Sequence, residues 1–397
     1  MEERRKVQEI IAYSNGDSNE ISTWSNVPYL CLKAMQSKGI KIDRVDIAVE
    51  NKGYVVPVLR DVFNLLTDRL SHVFSSAKKT MVKFDRTMTH EGMVKKEVKK
   101  AQKKYPDAEI QLVFDFSHAY KSNIPTVCFC DWTIEYEIEE HQLRSPGYFE
   151  KKIIKRQFKN LENADAIITL FPYAYEKIRH LFPEKTYYLG HIINVYDISE
   201  TEQYSYDKTK CNSQRVLFIG KKKYINGLQV LIEAVNFYNQ KNSKSKIYLD
   251  IIGMEENDFP EMDISTCTFY GYLDKNNGDD RKKYYSLMKN AKCMVNITKQ
   301  WNGASSIIEA LWCGTPVIIS RNKDIEGILG DDKEFGKWCE PEKPQELVEC
   351  LEYIMSMSME EYQELTQKAH CKVKDYTWDK YSEKMIKVME TVLERRK

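Results

Sequence analysis

The sequence has no run of about 18 consecutive apolar residues, the length that a membrane-spanning helix needs. Its first residues, MEERRKVQE, are charged and lack the apolar segment of a secretory signal peptide. From these two absences we expect a cytoplasmic protein without a transmembrane segment.

An excess of charge of one sign is also missing, because 60 basic residues balance 59 acidic residues and leave a net charge of +1. This balance gives no indication of a nucleic-acid partner. Lysines are concentrated locally, in residues 95–104, 151–155 and 221–223. Solvated helix faces explain the first two clusters, which would also permit weak peripheral attachment to an anionic surface such as the inner membrane.

The ten cysteines include no CxxC pair and no Cys/His spacing typical of a zinc site. Cys128 and Cys130 lie two positions apart in an apolar run, so on a strand they point to one face and are poorly placed to bridge each other. We therefore expect buried free thiols in a reducing compartment and no metal ligands.

What the chain does contain is two series of buried strands alternating with amphipathic helices. A polar, aperiodic segment at residues 192–214 separates the two series. The pattern predicts an α/β protein with two facing Rossmann-like domains, residues 1–191 and 215–375, and a cleft between them. Residues 192–214 are then the hinge.

The most informative stretch is NITKQWNGASSIIEALWCGTPVIIS, residues 296–320. It predicts a strand end, a small-residue loop, a helix capped by Ser305 and Ser306, a stop at Gly314 and Pro316, and a second buried strand. The first backbone N–H groups of that helix, including that of Ile307, are suited to an anion. Glu309, one turn further on, could accept two ribose hydroxyls. The alternative is an ordinary strand–helix–strand unit with one exposed Glu.

A second phosphate-binding pattern follows the strand at residues 215–219, where Gly220, three lysines and Gly227 precede a helix at residues 228–238. A strand, a glycine, cationic side chains and a helix start are favourable for phosphate. We expect contact through Lys221 and Lys223. A basic surface loop is the alternative interpretation.

Polar and aromatic residues follow three predicted strands of the first domain, at residues 7–13, 110–114 and 126–130. Carboxyl ends of parallel strands share one edge of a sheet, which is where α/β proteins bind ligands. A surface or capping role for the histidine and an N-cap role for the aspartate are the alternatives. The candidates at this edge are Gly16, Trp24, Ser25, His118, Asp131 and Trp132.

The segment IIEALWCGTPVI resembles the signature of family-4 retaining glycosyltransferases of the GT-B fold. The first acidic position of that signature falls on Trp301 in this sequence. The matching positions are Glu309, Ala310, Gly314, Pro316 and Val317.

The resemblance extends to other segments. Gly220, Lys221 and Gly227 match family positions, whereas Asn226 stands where the family has a second lysine. The segment STWSNVPY is similar to one that lines the cleft in some bacterial members. The resemblance also implies that the terminal helix at residues 376–394 packs back on the first domain.

What the resemblance implies is transfer of a sugar with retention from a UDP- or GDP-linked donor, which is a substrate and not a cofactor, without a metal ion. The acceptor would be a saccharide, a lipid-linked sugar or a protein, as in bacterial polysaccharide biosynthesis. The implied catalytic residues are His118, Asp131, Lys221 and Glu309; the donor site comprises Gly16, Gly220, Lys221, Lys223, Asn226, Trp301, Ser305, Ser306, Ile307 and Glu309; the acceptor site comprises Trp24, Ser25, His118, Asp131 and Trp132.

Three other functions remain open from the sequence. Trp301 and Asn226 motivate a catalytically inactive relative that binds a sugar or serves as an accessory protein. A GT-B-fold nucleotide-sugar epimerase is the second alternative. A nicotinamide-dependent oxidoreductase is disfavoured because the sequence has no GxGxxG motif.

Overall fold

The computed structural model describes residues 6–51, 53, 55–74, 80–194, 208–298, 304–330, 334–341 and 343–396. The chain forms two compact units. The N-terminal unit comprises Met1–His191 together with Trp378–Lys397, and the C-terminal unit comprises Ile192–Thr377.

The N-terminal unit is built on a six-stranded parallel sheet with the order β2-β1-β3-β4-β5-β6. Its strands are β1 (Glu9–Ser14), β2 (Lys41–Asp46), β3 (Ile110–Val113), β4 (Thr126–Cys130), β5 (Ala166–Thr169) and β6 (Thr186–Tyr188). Its first six helices are α1 (Val27–Gln36), α2 (Val55–Phe74), α3 (Met88–Lys104), α4 (Ile134–Tyr136), α5 (Tyr148–Leu161) and α6 (Pro172–Leu181).

The C-terminal unit has a second six-stranded parallel sheet with the order β12-β11-β10-β7-β8-β9. Its strands are β7 (Arg215–Ile219), β8 (Tyr248–Ile252), β9 (Cys267–Phe269), β10 (Cys293–Asn296), β11 (Val317–Ile319) and β12 (Gly336–Trp338). Its helices are α7 (Lys208–Cys211), α8 (Ile225–Lys241), α9 (Gly278–Asn290), α10 (Ala304–Trp312), α11 (Lys323–Leu329), α12 (Pro344–Met355) and α13 (Met359–Val373).

The last helix, α14 (Trp378–Arg395), belongs to the N-terminal unit although it follows the whole C-terminal unit in sequence. The rings of Trp378 and Tyr381 pack against Phe129 of β4 at centroid distances of 6.4 and 5.9 Å. Aromatic pairs at such distances add to the apolar burial that holds a core together. The final helix therefore supplies part of the core of the first sheet.

The predicted α/β class with two Rossmann-like sheets is confirmed. The central strands are fully buried and mostly apolar, as expected for parallel sheets with helices on both faces. Boundaries differ in places, since the helix predicted over residues 228–238 runs from Ile225 to Lys241. Strand β12 was not predicted, because three residues carry too little periodicity.

The predicted hinge falls largely outside the described residues, which exclude 195–207. Its described end, Lys208–Cys211, is the short helix α7. Across the described ranges, every helix is too short or too polar to cross a membrane.

Candidate functional site

The C-terminal candidates lie at the carboxyl edge of the second sheet, where β7 and its neighbour β10 both end. Gly220 follows β7 and donates its N–H to the carbonyl of Ile252 at 3.0 Å. A Cβ built on Gly220 would lie 2.8 Å from the Phe218 ring, so no larger residue fits there without a shift. The packing thus explains the glycine that precedes the lysines.

The three lysines after Gly220 differ in their surroundings. The Nζ of Lys222 lies 2.7 Å from the carboxylate of Asp258, in an ion pair. Lys221 is exposed, and its Nζ lies 6.0 Å from the ring centroid of Tyr272, whose side chain is also exposed. Lys223 lies 4.7 Å from the ring of its neighbour Tyr224. Lys221 is therefore a cation that an arriving phosphate could engage without breaking an ion pair such as that of Lys222.

Helix α8 approaches the end of β10 so closely that Gly227 is required. A Cβ on Gly227 would lie 1.9 Å from the carbonyl oxygen of Ile297, which is far shorter than an allowed van der Waals distance. Asn226, at the family's second lysine position, is exposed in the first turn of this helix. The glycine therefore brings the start of α8 against the strand end that carries the site.

Glu309 is fully buried on α10. Its Oε1 accepts a hydrogen bond from Lys275 Nζ at 2.7 Å, and its Oε2 accepts one from the Tyr284 hydroxyl at 2.8 Å. The alternative of an ordinary exposed Glu is wrong. The carboxylate keeps lone pairs for a ligand, but a hydroxyl group would reach it only if Lys275, whose side chain is 27% exposed, moved aside.

The start of α10 differs from the prediction in one respect. The helix begins at Ala304, so Ser305 and Ser306 lie inside its first turn and neither is its N-cap. Ser305 is exposed, whereas Ile307 is fully buried and, as the fourth residue of the helix, donates its N–H within the helix, so the prediction for that N–H is wrong. The N–H groups of the residues before it have no intrahelical acceptor, and anion binding through them stays a prediction. Trp301 lies outside the described residues.

In the N-terminal unit, Trp24, Ser25 and Asn26 have φ angles of 40°, 52° and 73°. Three consecutive non-glycine residues in the left-handed region carry backbone strain, which proteins keep mainly at functional sites. The strained turn places the Trp24 ring 6.2 Å from Phe114 and 5.9 Å from Phe129. It also brings the Trp24 side chain near the Asp131 carboxylate, where it lowers the pKa of that carboxyl. Two predicted acceptor residues are thus in contact.

Gly16 lies just beyond β1, with a φ of 104° that favours glycine. Its N–H donates to the Asp46 carboxylate at 3.0 Å, and its carbonyl accepts from the Ser14 hydroxyl at 2.8 Å. The loop after the first strand is therefore fixed to the ends of β1 and β2.

His118 follows β3 and is oriented by Asp115. Its Nδ1 lies 2.5 Å from the Asp115 carboxylate, which also accepts from the His118 backbone N–H at 2.8 Å. Burial opposes the charged imidazolium, but the Asp115 carboxylate outweighs burial and raises the pKa of His118 above its usual value. With its side chain 13% exposed and paired, His118 is not the surface histidine of the alternative interpretation.

Asp131 follows β4, and burial raises the pKa of its carboxyl to about 7. It is not a helix N-cap, because Thr133 caps α4 by accepting from the Tyr136 N–H at 3.2 Å. Trp132 lies in an aromatic cluster, with its ring centroid 4.4 Å from that of His141 and 5.3 Å from that of Phe171. Asp131 is thus a carboxyl that can exchange a proton near neutral pH.

Sequence reasoning missed Lys275 and Tyr284. They lie 34 and 25 residues before Glu309, so no local motif could link them to it. Within the described ranges, no group of three or more His, Cys, Asp and Glu side chains is placed to hold a metal ion. The prediction of a metal-independent site stays a prediction.

Comparison with known proteins bears on these two sheets. Residues 206–372 match the family model of glycosyl transferases group 1. Among curated proteins, the sequence finds no match.

Several solved structures share the fold over nearly the full length of both chains. Sucrose-phosphate synthase from Thermosynechococcus elongatus superposes with a TM-score of 0.66 at 15% identity, over 98% of this chain and 100% of that one. Trehalose 6-phosphate synthase from Burkholderia multivorans gives 0.64 at 10% identity, over 99% and 100%. WaaG, a glycosyltransferase involved in lipopolysaccharide biosynthesis, gives 0.59 at 11%, over 96% and 99%. The shared fold is GT-B.

Proposed function

From the premise that residues 206–372 are a glycosyl transferases group 1 region in a chain of GT-B fold, we propose that this protein is a retaining glycosyltransferase. Its donor is a UDP- or GDP-linked sugar, which binds without a metal ion. The observation that carries the proposal is the buried carboxylate of Glu309, which accepts hydrogen bonds from Lys275 and Tyr284. Its helix, α10, starts at the sheet edge at which Lys221 follows β7.

The donor site is built from two neighbouring strand ends. The N–H groups at the start of α10 and the hydroxyls of Ser305 and Ser306 take one part of the diphosphate. Lys221, supported by Gly220 and by Lys223, takes the other part. Glu309 accepts hydrogen bonds from the ribose hydroxyls once the Lys275 side chain has moved away from its carboxylate.

The chemistry that follows is stabilisation of a leaving group. As the bond between the sugar and the diphosphate breaks, negative charge grows on the diphosphate, and fixed N–H dipoles with a lysine stabilise that charge. Lys275, released from Glu309, supplies a second cation near this site, whereas the family places its second lysine at the position of Asn226.

The acceptor binds the edge of the first sheet, at Trp24, Ser25, His118, Asp131 and Trp132. What supports this assignment is the strained turn at Trp24, the paired His118 and the raised pKa of Asp131. Aromatic side chains and carboxylates are common in carbohydrate recognition sites, so a saccharide, free or linked to a lipid or a protein, is the acceptor class. The neighbour WaaG acts in lipopolysaccharide biosynthesis. The cytoplasmic location stays a prediction.

Lys221 and Lys222 provide a matched test of the donor site. Lys221→Gln removes the proposed diphosphate cation, whereas Lys222→Gln removes an exposed lysine that pairs with Asp258. We expect a nucleoside diphosphate from a UDP, GDP and ADP panel to raise the melting temperature of the wild type. Loss of one charge-assisted contact weakens binding about tenfold to a hundredfold in Lys221→Gln, and Lys222→Gln stays near wild type.

Glu309→Gln, which keeps the size of the buried side chain, should also lose the thermal shift with the same nucleotide. If both lysine variants lose binding equally, Lys221 has no special role. Binding without sugar transfer to any acceptor would favour the inactive relative. Conversion of the donor without an acceptor would favour an epimerase.

A further inference from the structure

Helix α2 of the N-terminal unit turns an apolar face to solvent. Seven of its Val and Leu side chains are 51–69% exposed, which is unusual for one helix of a folded unit. They recur at steps of three and four residues and so share one face of the helix. They are Val55, Val58, Leu59, Val62, Leu65, Leu66 and Leu70.

The opposite face of α2 holds the helix on its unit. The side chain of Asn64 accepts from the Phe84 N–H at 2.9 Å, and Asp68 forms an ion pair with Lys83 at 2.6 Å. The rings of Phe63 and Phe84 lie 6.2 Å apart. These contacts fix the rotation of the helix about its axis. The face with the seven exposed Val and Leu side chains, called the stripe below, is therefore turned to solvent.

A second exposed apolar group lies at the start of α5. The rings of Tyr148 and Phe149 are 69% and 65% exposed and lie 5.3 Å apart. The next residue, Glu150, accepts from the Met81 N–H at 2.9 Å. Because Lys83 and Phe84 contact α2 on the face opposite the stripe, the segment at residues 80–86 connects the start of α5 to helix α2.

Positive charge accompanies these apolar groups. Lys151, Lys152 and Lys155 are exposed on α5, and Lys152 Nζ lies 4.5 Å from the Tyr148 ring centroid. The N-terminal unit contains 36 Lys and Arg against 30 Asp and Glu, a net charge of +6, whereas the C-terminal unit carries a net charge of −5. An anionic surface would therefore be attracted to the N-terminal unit.

We propose that the N-terminal unit docks on an anionic lipid bilayer through the apolar face of α2 and the pair Tyr148 and Phe149. The Val and Leu side chains enter the boundary between headgroups and acyl chains, the aromatic rings lie at the level of the headgroups, and the lysines of α5 contact lipid phosphates. A second copy of this chain fits less well, because two units of charge +6 repel each other.

The proposal does not depend on the donor site, since all of its residues lie in the N-terminal unit. The proposal also goes beyond weak electrostatic attraction by lysine clusters, because salt does not screen the binding free energy that inserted apolar side chains contribute. Raising the salt concentration should therefore weaken binding only in part.

Sedimentation with vesicles tests the proposal on the full chain. We expect binding to vesicles of phosphatidylcholine with about one third phosphatidylglycerol, and weaker binding to phosphatidylcholine alone. The double variant Leu59→Gln, Leu66→Gln should bind at least about tenfold more weakly, because each change removes apolar side-chain atoms from the lipid. The matched control is Leu181→Gln on α6, a leucine of the same unit that is 53% exposed.

Three results would overturn the proposal. The first is a wild type that does not sediment with the anionic vesicles, and the second is a control that loses binding as much as the double variant. The third is a wild-type dimer in light scattering that the double variant converts to a monomer, since the stripe would then join two copies. Thermal shifts with nucleotide, run on the same variants, report folding and the donor site separately.

Discussion

At the scale of single residues, the acid–base character of the first sheet edge rests on two side chains with opposite surroundings. His118 has a carboxylate partner in Asp115, which favours its charged form. Asp131 is partly buried, and burial raises its pKa by more than the nearby Trp24 side chain lowers it. A carboxyl group with a pKa near neutrality and an imidazole held in a fixed orientation are suited to moving a proton at a hydroxyl of the proposed acceptor.

The pKa of Asp131 predicts a measurable effect of pH on stability. Its folded-state pKa of about 7 lies above that of an unfolded aspartate, so the folded protein holds this proton more tightly. The contribution of Asp131 to the free energy of unfolding is complete below about pH 4 and is lost as the pH rises towards 7 and above. Asp131→Asn should match the wild type at pH 4 and exceed its free energy of unfolding at pH 8 by on the order of 2 kcal/mol.

Denaturant titrations at several pH values measure this difference, and other titrating groups cancel between wild type and variant. Asp107→Asn, which removes a carboxylate at an exposed turn, is the control variant. A difference between Asp131→Asn and wild type that does not change with pH would contradict the assignment.

Residue positions were predictable where they follow from local pattern. Gly220, Lys221 and Glu309 could be selected because a strand end, a glycine and a helix start adjoin in sequence. Lys275 and Tyr284 could not, since their contacts with Glu309 are made only by folding. The burial of Glu309 was not predicted for the same reason. A glutamate in a helical segment of the sequence does not show which other element packs over its side chain.

At the scale of elements, the close approach of α8 to the end of β10 sets the position of the proposed donor site. Gly227→Ala would place a Cβ 1.9 Å from the Ile297 carbonyl oxygen. We expect a loss of about 2–4 kcal/mol in the free energy of unfolding and weaker nucleotide binding, because the helix start must move away from the strand.

Gly92→Ala on α3 is the matched comparison, because its Cβ would meet nothing within 4 Å. That substitution should raise stability by about 0.5–1 kcal/mol, since alanine favours a helix over glycine. Equal effects of the two changes in urea denaturation would show that the contact at Gly227 is not what matters.

Long periodic elements were predicted well, and short ones were not. At the start of α13, Ser358 and Glu361 have the sequence spacing of a capping box, and the side chain of each residue bonds to the backbone N–H of the other. Strand β12 and helix α7, of three and four residues, have no periodicity to detect. The outward face of α2 was also not anticipated, because an amphipathic pattern does not show which face is turned to the protein.

At the scale of the whole molecule, the N-terminal unit depends on the last helix of the chain. Trp378→Ala removes a ring that is packed on Phe129 and Tyr381, and should lower the stability of this unit by about 3–5 kcal/mol. Hydrogen exchange should speed up in β4, whereas β7 and β10 of the C-terminal unit keep their protection.

Tyr353→Ala, which removes a half-exposed ring from α12, is the control for loss of an aromatic side chain and should leave β4 unchanged. Equal acceleration in both sheets of Trp378→Ala would mean that the two units unfold together.

The position of α14 also has a consequence for synthesis. The ribosome makes all six strands of the first sheet before residue 192, but the helix that covers Phe129 comes after about 186 further residues. At roughly 5–20 residues per second, the nascent chain waits on the order of ten to forty seconds with that aromatic surface open. During this interval the newborn N-terminal unit is a natural client for a chaperone.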